Sequence, residues 1–302
     1  MNKQKGHSSK KNVIIGASGL IGGALYCNLI DNNEIVIGTY SNNCKFPGLV
    51  QFDLLCPDYR TLNNLIAPGD NVYIMAANSN PSWISANRSD AQKLNFDATV
   101  GLIEAVREKS PRIVFMSSVE VFDGSTGHYN ESDKPNPLNL YGSLKYQVEE
   151  YLRTTYPKST IVRTGWNVGH DVQSRCVVKL TYETLLKHNA MMAIDNYFSI
   201  SDVIDTANAL RLVGKHSKIR KIHICSSEVI RRDQLADLII KSSVNGTKMK
   251  YKKCYFSDIS YSEPRGRINN LSNEISRNTL GILYKSARDI IIDKTRFIDL
   301  LS

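Results

Sequence analysis

Ser118, Tyr141 and Lys145 are the side chains of this sequence whose types and spacing could move a proton. Tyr141 and Lys145 are four residues apart in an amphipathic stretch, so a helix would place them on one face. An ordinary tyrosine has a pKa near 10, and its use near neutral pH requires about 4 kcal/mol of stabilisation, much of which a neighbouring ammonium group can supply. Ser118 follows the apolar run 113–116, which predicts a buried strand whose carboxyl end faces a ligand. These residues therefore predict proton transfer to or from a ligand oxygen.

The tyrosine and lysine spacing is weak evidence when it stands alone, because it is common by chance on helix surfaces. Here the pair follows Ser118 by 23 residues and lies downstream of a glycine-rich loop, and this order favours a functional site. The competing interpretation of Ser118 is a turn residue at the end of its strand. We assign the preceding Ser117 to structure.

The glycine-rich loop GASGLIGG lies directly after a predicted strand and at the start of a predicted helix. Gly16 suits the tight turn, Gly19 lets the backbone approach a pyrophosphate, and Gly22 permits close packing of the helix on the strand. The spacing therefore predicts a dinucleotide site. The residues expected to contact the dinucleotide are Gly16, Ser18, Gly19, Leu20, Ile21 and Gly22.

The end of the second predicted strand bears on the choice of dinucleotide. An acid at this position normally binds the ribose 2′-hydroxyl of NAD, but residues 38–43 carry no acid and Lys45 follows them. The sequence therefore favours NADP(H), with NAD(H) as the alternative. Asp53 and the adjoining Leu54 follow a predicted third strand and are candidates for contacting the adenine. The competing interpretation of Asp53 is a loop cap.

Short apolar strands alternate with amphipathic segments through the first half of the chain. This pattern predicts an α/β fold of the Rossmann type, a doubly wound parallel sheet with a smaller carboxyl-terminal substrate-binding region. The predicted strands are 12–15, 34–39, 71–76, 112–117 and 159–163, and the predicted helices are 19–31, 58–66, 87–109 and 141–155. Later predicted elements are a helix over 175–188, a strand over 221–224, a helix over 232–242, and a loop over 261–274 before a final helix. The predicted regions are a basic disordered tail (1–10), a dinucleotide-binding domain (11–165) and a mainly substrate-binding region (166–302) with elements returning to the core.

Composition argues against several classes of function. The 38 Lys and Arg residues outnumber the 29 Asp and Glu residues, but no basic face with interleaved aromatic side chains indicates nucleic-acid binding. The positive charge favours an anionic small molecule instead. The six cysteines have no metal-ligand spacing, so we expect reduced thiols, a cytoplasmic location and no bound metal. We expect neither a signal peptide nor a membrane span, because no apolar run approaches the roughly 20 residues that a span needs.

Several motifs give the chain a resemblance to the extended short-chain dehydrogenase/reductase superfamily, and within it to the dTDP-4-dehydrorhamnose reductase-like branch. The motifs are GASGLIGG, MAAN, SSVEVFDG, YNESDKPNPLNLYGSLKYQVEE, RTGWNVG and FSISDVIDTANAL, and the resemblance covers about 11–290. It implies that Ser118 hydrogen-bonds a substrate carbonyl, that Tyr141 is the acid/base, and that Lys145 binds the nicotinamide ribose and lowers the tyrosine pKa. The other implied site residues are Ala76 and Ala77 along the cofactor groove, and Glu120 and Trp166 beside the substrate.

The activity implied by this resemblance is NAD(P)H-dependent reduction of a 4-keto-6-deoxy nucleotide sugar. The chain departs from the family pattern on the expected substrate side, where residues 79–83 replace an acidic segment and Glu263-Pro264-Arg265 replaces an Arg-Pro pair. Val119 stands where sugar 4,6-dehydratases have a catalytic Asp, which argues against a dehydratase. The open alternatives are a nucleotide-sugar 4-epimerase and a non-catalytic NADP-binding subunit similar to the β subunit of methionine adenosyltransferase. A homodimer is also left open.

Overall fold

A computed structural model describes residues 10–171, 175–187 and 189–301. Of the predicted tail 1–10, only Lys10 lies within the described residues. The strands are β1 Asn12–Ile15, β2 Val36–Tyr40, β3 Val50–Gln51, β4 Asn71–Ile74, β5 Arg112–Ser118, β6 Thr160–Thr164, β7 Trp166–Val168, β8 Met191–Ala193, β9 Tyr197–Asp202, β10 Lys221–Ile224, β11 Val229–Arg231, β12 Lys252–Cys254 and β13 Ile268–Asn269. The α-helices are α1 Leu20–Asp31, α2 Tyr59–Leu65, α3 Pro81–Ala86, α4 Arg88–Gln92, α5 Ala98–Val106, α6 Leu140–Thr155, α7 Val177–Leu185, α8 Val203–Lys215, α9 Arg232–Ser242, α10 Glu274–Leu280 and α11 Ala287–Asp299.

Within the described ranges, seven strands form one parallel sheet in the order β3-β2-β1-β4-β5-β6-β10. Strands β2 and β3 lie on one side of β1, and β4, β5 and β6 follow on the other side, so the order of strand addition reverses between β1 and β4. In a doubly wound sheet, the crevice outside the carboxyl ends of the strands at this reversal is the ligand-binding position. The predicted fold class is therefore confirmed.

Helices cover both faces of this sheet, which explains why its strands are almost continuously apolar. On one face, Leu25 of α1 and Leu210 of α8 pack against Ile14 of β1. On the other face, Leu102 of α5 and Val148 of α6 lie in the cluster that contains the remaining apolar side chains of β1. Burying each such side chain contributes about 1.5–3 kcal/mol, so the strand ends that carry the candidate residues rest on a rigid core.

Most of the chain after β6 forms a second, smaller region with its own core. Its central strand β9 pairs with β7, β11 and β13, and β8 pairs with β12. Tyr182 of α7, Leu235 of α9 and Ile290 of α11 belong to one buried cluster. Strand β10 instead returns to the main sheet, where it pairs with β6. None of the helices in the described residues combines the length and apolar character that a membrane span requires.

The predicted boundaries differ from the structure where local contacts override the sequence pattern. The predicted helix over 87–109 is interrupted by a π turn at Lys93–Asp97. The predicted strand over 71–76 ends at Ile74, because the N–H groups of Met75 and Ala76 both donate to the Ile15 carbonyl. The predicted helix over 175–188 corresponds to α7, which spans Val177–Leu185. Residue 188, the last of the predicted range, lies outside the described ranges.

Candidate active site

The glycine-rich loop joins β1 to α1 at the reversal point of the sheet. Gly16 has a φ of 91°, and a Cβ on it would lie 2.8 Å from the backbone nitrogen of Ala76. Its N–H donates to Thr39 Oγ1 at 3.1 Å. A Cβ on Gly22 would lie 2.2 Å from the Gly16 carbonyl oxygen. The loop therefore lies tightly between β4 and α1, which requires glycine at these two positions.

The amino terminus of α1 is open toward the crevice. Gly19 is its N-cap residue and makes no side-chain capping bond, and the first turn carries no acid. A Cβ on Gly19 would meet only the Gly16 carbonyl oxygen, at 3.3 Å. Unpaired N–H groups and the positive end of a helix dipole suit a pyrophosphate. The neighbouring residues Ser18, Leu20 and Ile21 are partly buried.

The loops after β2 and β3 border the part of the crevice that the adenosine of a bound dinucleotide would occupy. Lys45 Nζ lies 2.9 Å from an Asp171 carboxylate oxygen, so this lysine is already ion-paired. Asp53 accepts a hydrogen bond from the Leu55 N–H at 3.0 Å, as the loop-cap interpretation predicts. The Leu54 side chain is buried in the core, so it can offer a ligand only its backbone.

The segment that follows β4 is fixed by a residue that sequence reasoning missed. Ala76 is partly buried and Ala77 is exposed where the chain leaves the sheet. Buried Asn95, in the π turn, accepts from the Asn78 N–H at 2.9 Å and donates to the Asn78 carbonyl at 3.0 Å. An asparagine in an amphipathic helix gives no sequence signal for this contact, because the contact depends on the wide turn.

Lys145 and Tyr141 of α6 lie beside the carboxyl end of β5, where Ser118 is the last residue. Lys145 Nζ donates to the Met116 carbonyl of β5 at 2.8 Å and lies 5.7 Å from the centre of the Tyr141 ring. Ser118 Oγ accepts from the Glu120 N–H at 3.2 Å, so it also caps the turn that follows. Accepting this bond leaves the hydroxyl hydrogen of Ser118 free to donate to a ligand.

The first turn of α6 lies directly against the turn at 119–121. A Cβ on Gly142 would lie 1.9 Å from the Glu120 carbonyl oxygen, so glycine is what allows this approach. Asn139 caps α6 by accepting from the Gly142 N–H at 2.8 Å, and its amide donates to Glu120 Oε2 at 2.7 Å. These contacts fix Tyr141 relative to Ser118.

Burial sets the protonation of the tyrosine and the lysine. It raises the pKa of Tyr141 above its ordinary value, and the Glu120 carboxylate raises this pKa further. Burial also lowers the pKa of Lys145 to about 8, while Glu149 acts in the opposite direction. In this structure desolvation of the phenolate sets the direction of the Tyr141 pKa shift, and the expectation that Lys145 lowers this pKa stays a prediction. Both groups hold their protons at pH 7.

A buried ion pair lies behind Lys145, and no sequence motif indicated it. Arg163 Nε and Nη2 donate to the two carboxylate oxygens of Glu149, at 2.9 and 2.6 Å. The Ser117 hydroxyl donates to the same carboxylate at 2.5 Å. Ser117 and Arg163 are paired positions on β5 and β6, and Glu149 lies one helical turn after Lys145. The pair therefore fixes α6 on the sheet beneath the candidate site.

The second region borders the same edge of the sheet. Trp166 is half-buried in β7, and the Arg232 guanidinium lies 4.7 Å from its ring centre. The Pro264 carbonyl accepts from the Asn139 amide at 3.1 Å, and Glu263 accepts from the Leu140 N–H at 3.3 Å. The segment that replaces the family's Arg-Pro pair thus touches the start of α6. No group of three or more metal-ligating side chains is present within the described ranges.

Comparisons with curated proteins give partial matches. The chain is 32% identical over 144 residues to methionine adenosyltransferase 2 subunit beta of Bos taurus, which covers 47% of this chain and 42% of that protein. It is 29% identical over 170 residues to the dTDP-4-dehydrorhamnose reductase of Aggregatibacter actinomycetemcomitans, covering 52% of this chain and 51% of that protein. The chain thus spans about half the length of these curated relatives.

The fold and the family pattern extend over nearly the whole chain. A solved dTDP-4-dehydrorhamnose reductase from Clostridium acetobutylicum has a TM-score of 0.81 at 22% identity, covering 96% of this chain and 99% of that one. The sequence pattern of the RmlD substrate binding domain matches residues 10–291. The chain therefore belongs to the RmlD substrate binding domain family, within the dTDP-4-dehydrorhamnose reductase-like branch of the extended short-chain dehydrogenase/reductases.

Proposed function

We propose that this protein is an NAD(P)H-dependent oxidoreductase that reduces the keto group of a 4-keto-6-deoxy nucleotide sugar. The observation that carries the proposal is that α6 places Lys145 and Tyr141 beside the carboxyl end of β5, whose last residue is Ser118. Family membership supports the same class of activity.

A nicotinamide dinucleotide fits the residues at the crevice. The α1 amino terminus has no side-chain cap, so the N–H groups of its first turn suit the pyrophosphate, and the glycine loop lets the pyrophosphate approach them. The protonated Lys145 ammonium is a suitable donor to the hydroxyls of the nicotinamide ribose. NADP(H) is the favoured form because β2 ends without an acid that would repel a 2′-phosphate. When bound, the reduced nicotinamide supplies a hydride to the substrate carbonyl carbon.

Ser118 and Tyr141 act on the carbonyl oxygen. Both hydroxyls donate hydrogen bonds that strengthen as negative charge develops on this oxygen. Tyr141 then transfers its proton to the oxygen, which gives the alcohol. Tyr141 is in its acid form at pH 7, so it carries the proton that the oxygen accepts. Lys145 can then stabilise the phenolate that remains.

The test of this role is Tyr141→Phe, which removes the acid and keeps the ring. We expect nucleotide binding to persist and the chemical step to slow by about 10²- to 10⁴-fold. Ser118→Ala should slow the same step by a comparable factor. The assay screens 4-keto-6-deoxy nucleotide sugars with NADH and NADPH and follows the absorbance of the reduced nicotinamide.

Tyr146→Phe, in the same helix, is the matched control and should react at the wild-type rate. Tyr146 packs against a different apolar cluster. A Tyr141→Phe protein that reduces a confirmed substrate at the wild-type rate, with chemistry limiting, contradicts the proposal.

A non-catalytic regulatory subunit is the second candidate, favoured by the 32% identity to the beta subunit of methionine adenosyltransferase 2. Under this alternative the protein binds a partner enzyme and turns over no keto sugar, and Tyr141→Phe leaves partner affinity intact. The assembled Ser118, Tyr141 and Lys145 favour the reductase, because binding alone does not require a positioned proton donor.

A further inference from the structure

Helix α3 lies where three segments of the chain meet, and the proposed chemistry uses none of its side chains. Ser85 of α3 donates through its hydroxyl to the Ser262 carbonyl at 3.1 Å. Arg88, which begins α4, forms an ion pair with Glu263 at 2.8 Å, and Glu263 also accepts from the Leu140 N–H at 3.3 Å. Helix α3 is thus tied to the second region at the point where α6 begins.

Trp83 is the aromatic residue of this short helix. It packs against a small buried cluster formed by Ile84, Ala91 and Leu144, and Tyr141 packs against the same cluster. Trp83 itself is only partly buried, so part of its ring remains open. The segment that carries it follows the carboxyl end of β4, on the ligand-binding edge of the sheet. An apolar ring therefore lies at the rim of the candidate site.

The position of the reacting ketone limits which part of a sugar can reach this rim. The oxygen on C4 must lie at Ser118 and Tyr141, and the ring carbons next to C4 are C3 and C5. C3 carries a hydroxyl group, whereas C5 carries C6. A side chain that shares the surroundings of Tyr141 therefore faces either the C3 hydroxyl or the substituent at C6.

The chemistry of the rim favours the C6 side. The side chains of Ile84, Ala91 and Leu144, on which Trp83 rests, carry no hydrogen-bonding group. A hydroxyl placed against an apolar wall loses its hydrogen bonds to water without gaining a partner, but a methyl group gains from burying its surface there. The wall therefore suits a methyl group.

We propose that Trp83 is a specificity-determining residue whose ring contacts the C6 methyl group of a 6-deoxy sugar held at Ser118 and Tyr141. This inference rests on the proposed function, because it names the side chain that selects the 6-deoxy form of the keto sugar. The ties of α3 to Ser262 and Glu263 hold the ring in place. Sugars with a hydroxyl on C6 are bound less tightly.

Titration calorimetry on the full chain in the presence of NADPH tests this inference without turnover. The ligands are dTDP-6-deoxyglucose and dTDP-glucose, which differ only in the C6 hydroxyl and carry no keto group to reduce. The UDP forms of the same two sugars repeat the measurement with another base. We expect the wild-type protein to bind the 6-deoxy sugar about 10- to 100-fold more tightly, the usual penalty for adding a hydroxyl in an apolar pocket.

Trp83→Gln replaces the apolar face with an amide that can bond a hydroxyl, so the preference should fall to within about threefold of unity. Trp83→Phe keeps an aromatic face and should keep the preference. Exposed Ser82 on the same helix provides the matched control, and Ser82→Ala should behave as wild type. NADPH affinity should be unchanged in all three variants. Thermal melts establish that each variant is folded, and Trp83→His gives the same test should Trp83→Gln fail to fold.

A wild-type protein that binds both sugars equally, or neither of them, overturns the inference. So does a preference that persists in Trp83→Gln, or a Trp83→Gln protein that loses only NADPH affinity, which would place the ring against the dinucleotide. A preference that depends on Trp83, without reduction of any keto sugar, would leave the inference standing and remove the reductase proposal. Reduction of a keto sugar by a protein whose preference is unaffected by Trp83→Gln would do the reverse.

Discussion

Because of Lys145, the free energy of unfolding should rise with pH in the alkaline range. A substitution of this lysine should remove that rise. Burial lowers its pKa in the folded state to about 8 from an ordinary value of 10.5. Between these two pH values the unfolded chain binds more protons at this side chain than the folded chain does, so the free energy of unfolding rises with pH. The whole difference corresponds to about 3 kcal/mol, of which about 2.5 kcal/mol accumulates between pH 7 and pH 10.

Urea denaturation of wild type and Lys145→Met at pH 7, 8, 9 and 10 measures this term. Titration of the other groups is common to both proteins and cancels in the difference. The free energy of unfolding of wild type should therefore increase by about 2.5 kcal/mol relative to that of Lys145→Met between pH 7 and pH 10. Lys134→Met is the control, because the exposed Lys134 is not desolvated on folding, and its difference from wild type should stay flat. A Lys145→Met difference that is constant to within about 0.5 kcal/mol would refute the argument that this ammonium is held in a desolvated position.

Three further substitutions test the loop, the cofactor choice and the buried ion pair. Gly19→Val should weaken NADPH binding by about 100-fold in a fluorescence titration with little change in melting temperature, whereas Gly22→Val, whose side chain would meet loop backbone at 2.2 Å, should lower the melting temperature itself. Ser41→Asp should shift the ratio of NADPH to NADH dissociation constants toward NADH by about 1–2 kcal/mol, and a wild-type protein that already prefers NADH would contradict this reasoning. Glu149→Gln should lower the free energy of unfolding by about 3–5 kcal/mol, because it leaves the buried Arg163 charge without its partner. In urea denaturation, Glu149→Leu combined with Arg163→Met should recover much of the lost free energy of unfolding.

The sequence allowed prediction of the main sheet because its elements carry strong local patterns. Strand β1 has the predicted bounds, and α6 begins one residue before its predicted start, where Asn139 provides a cap. The strands of the second region could not be predicted in the same way. Strands β7, β11 and β13 are only two or three residues long, and they exist because they pair with β9 rather than because of their own periodicity.

The candidate site was predictable where its residues lie in one motif, and not where distant segments meet. Ser118, Tyr141 and Lys145 were predicted because their order and spacing are set by one strand and the next helix. Arg232 lies near Trp166 only through the fold of the second region, and an arginine at the start of a helix has the ordinary interpretation of a solvated charge. The direction of the Tyr141 pKa shift was also beyond sequence reasoning, because it depends on the degree of burial.

The position of β10 at the edge of the main sheet limits how early during synthesis this sheet can be completed. The dinucleotide loop, Ser118 and Tyr141 have all been synthesised well before Lys221–Ile224 leaves the ribosome, yet until then β6 is an open sheet edge with unpaired backbone groups. Such an edge is a template for pairing with other chains. A shortened chain that ends after Gly165 should therefore aggregate through β6 and should not persist as a free dinucleotide-binding unit.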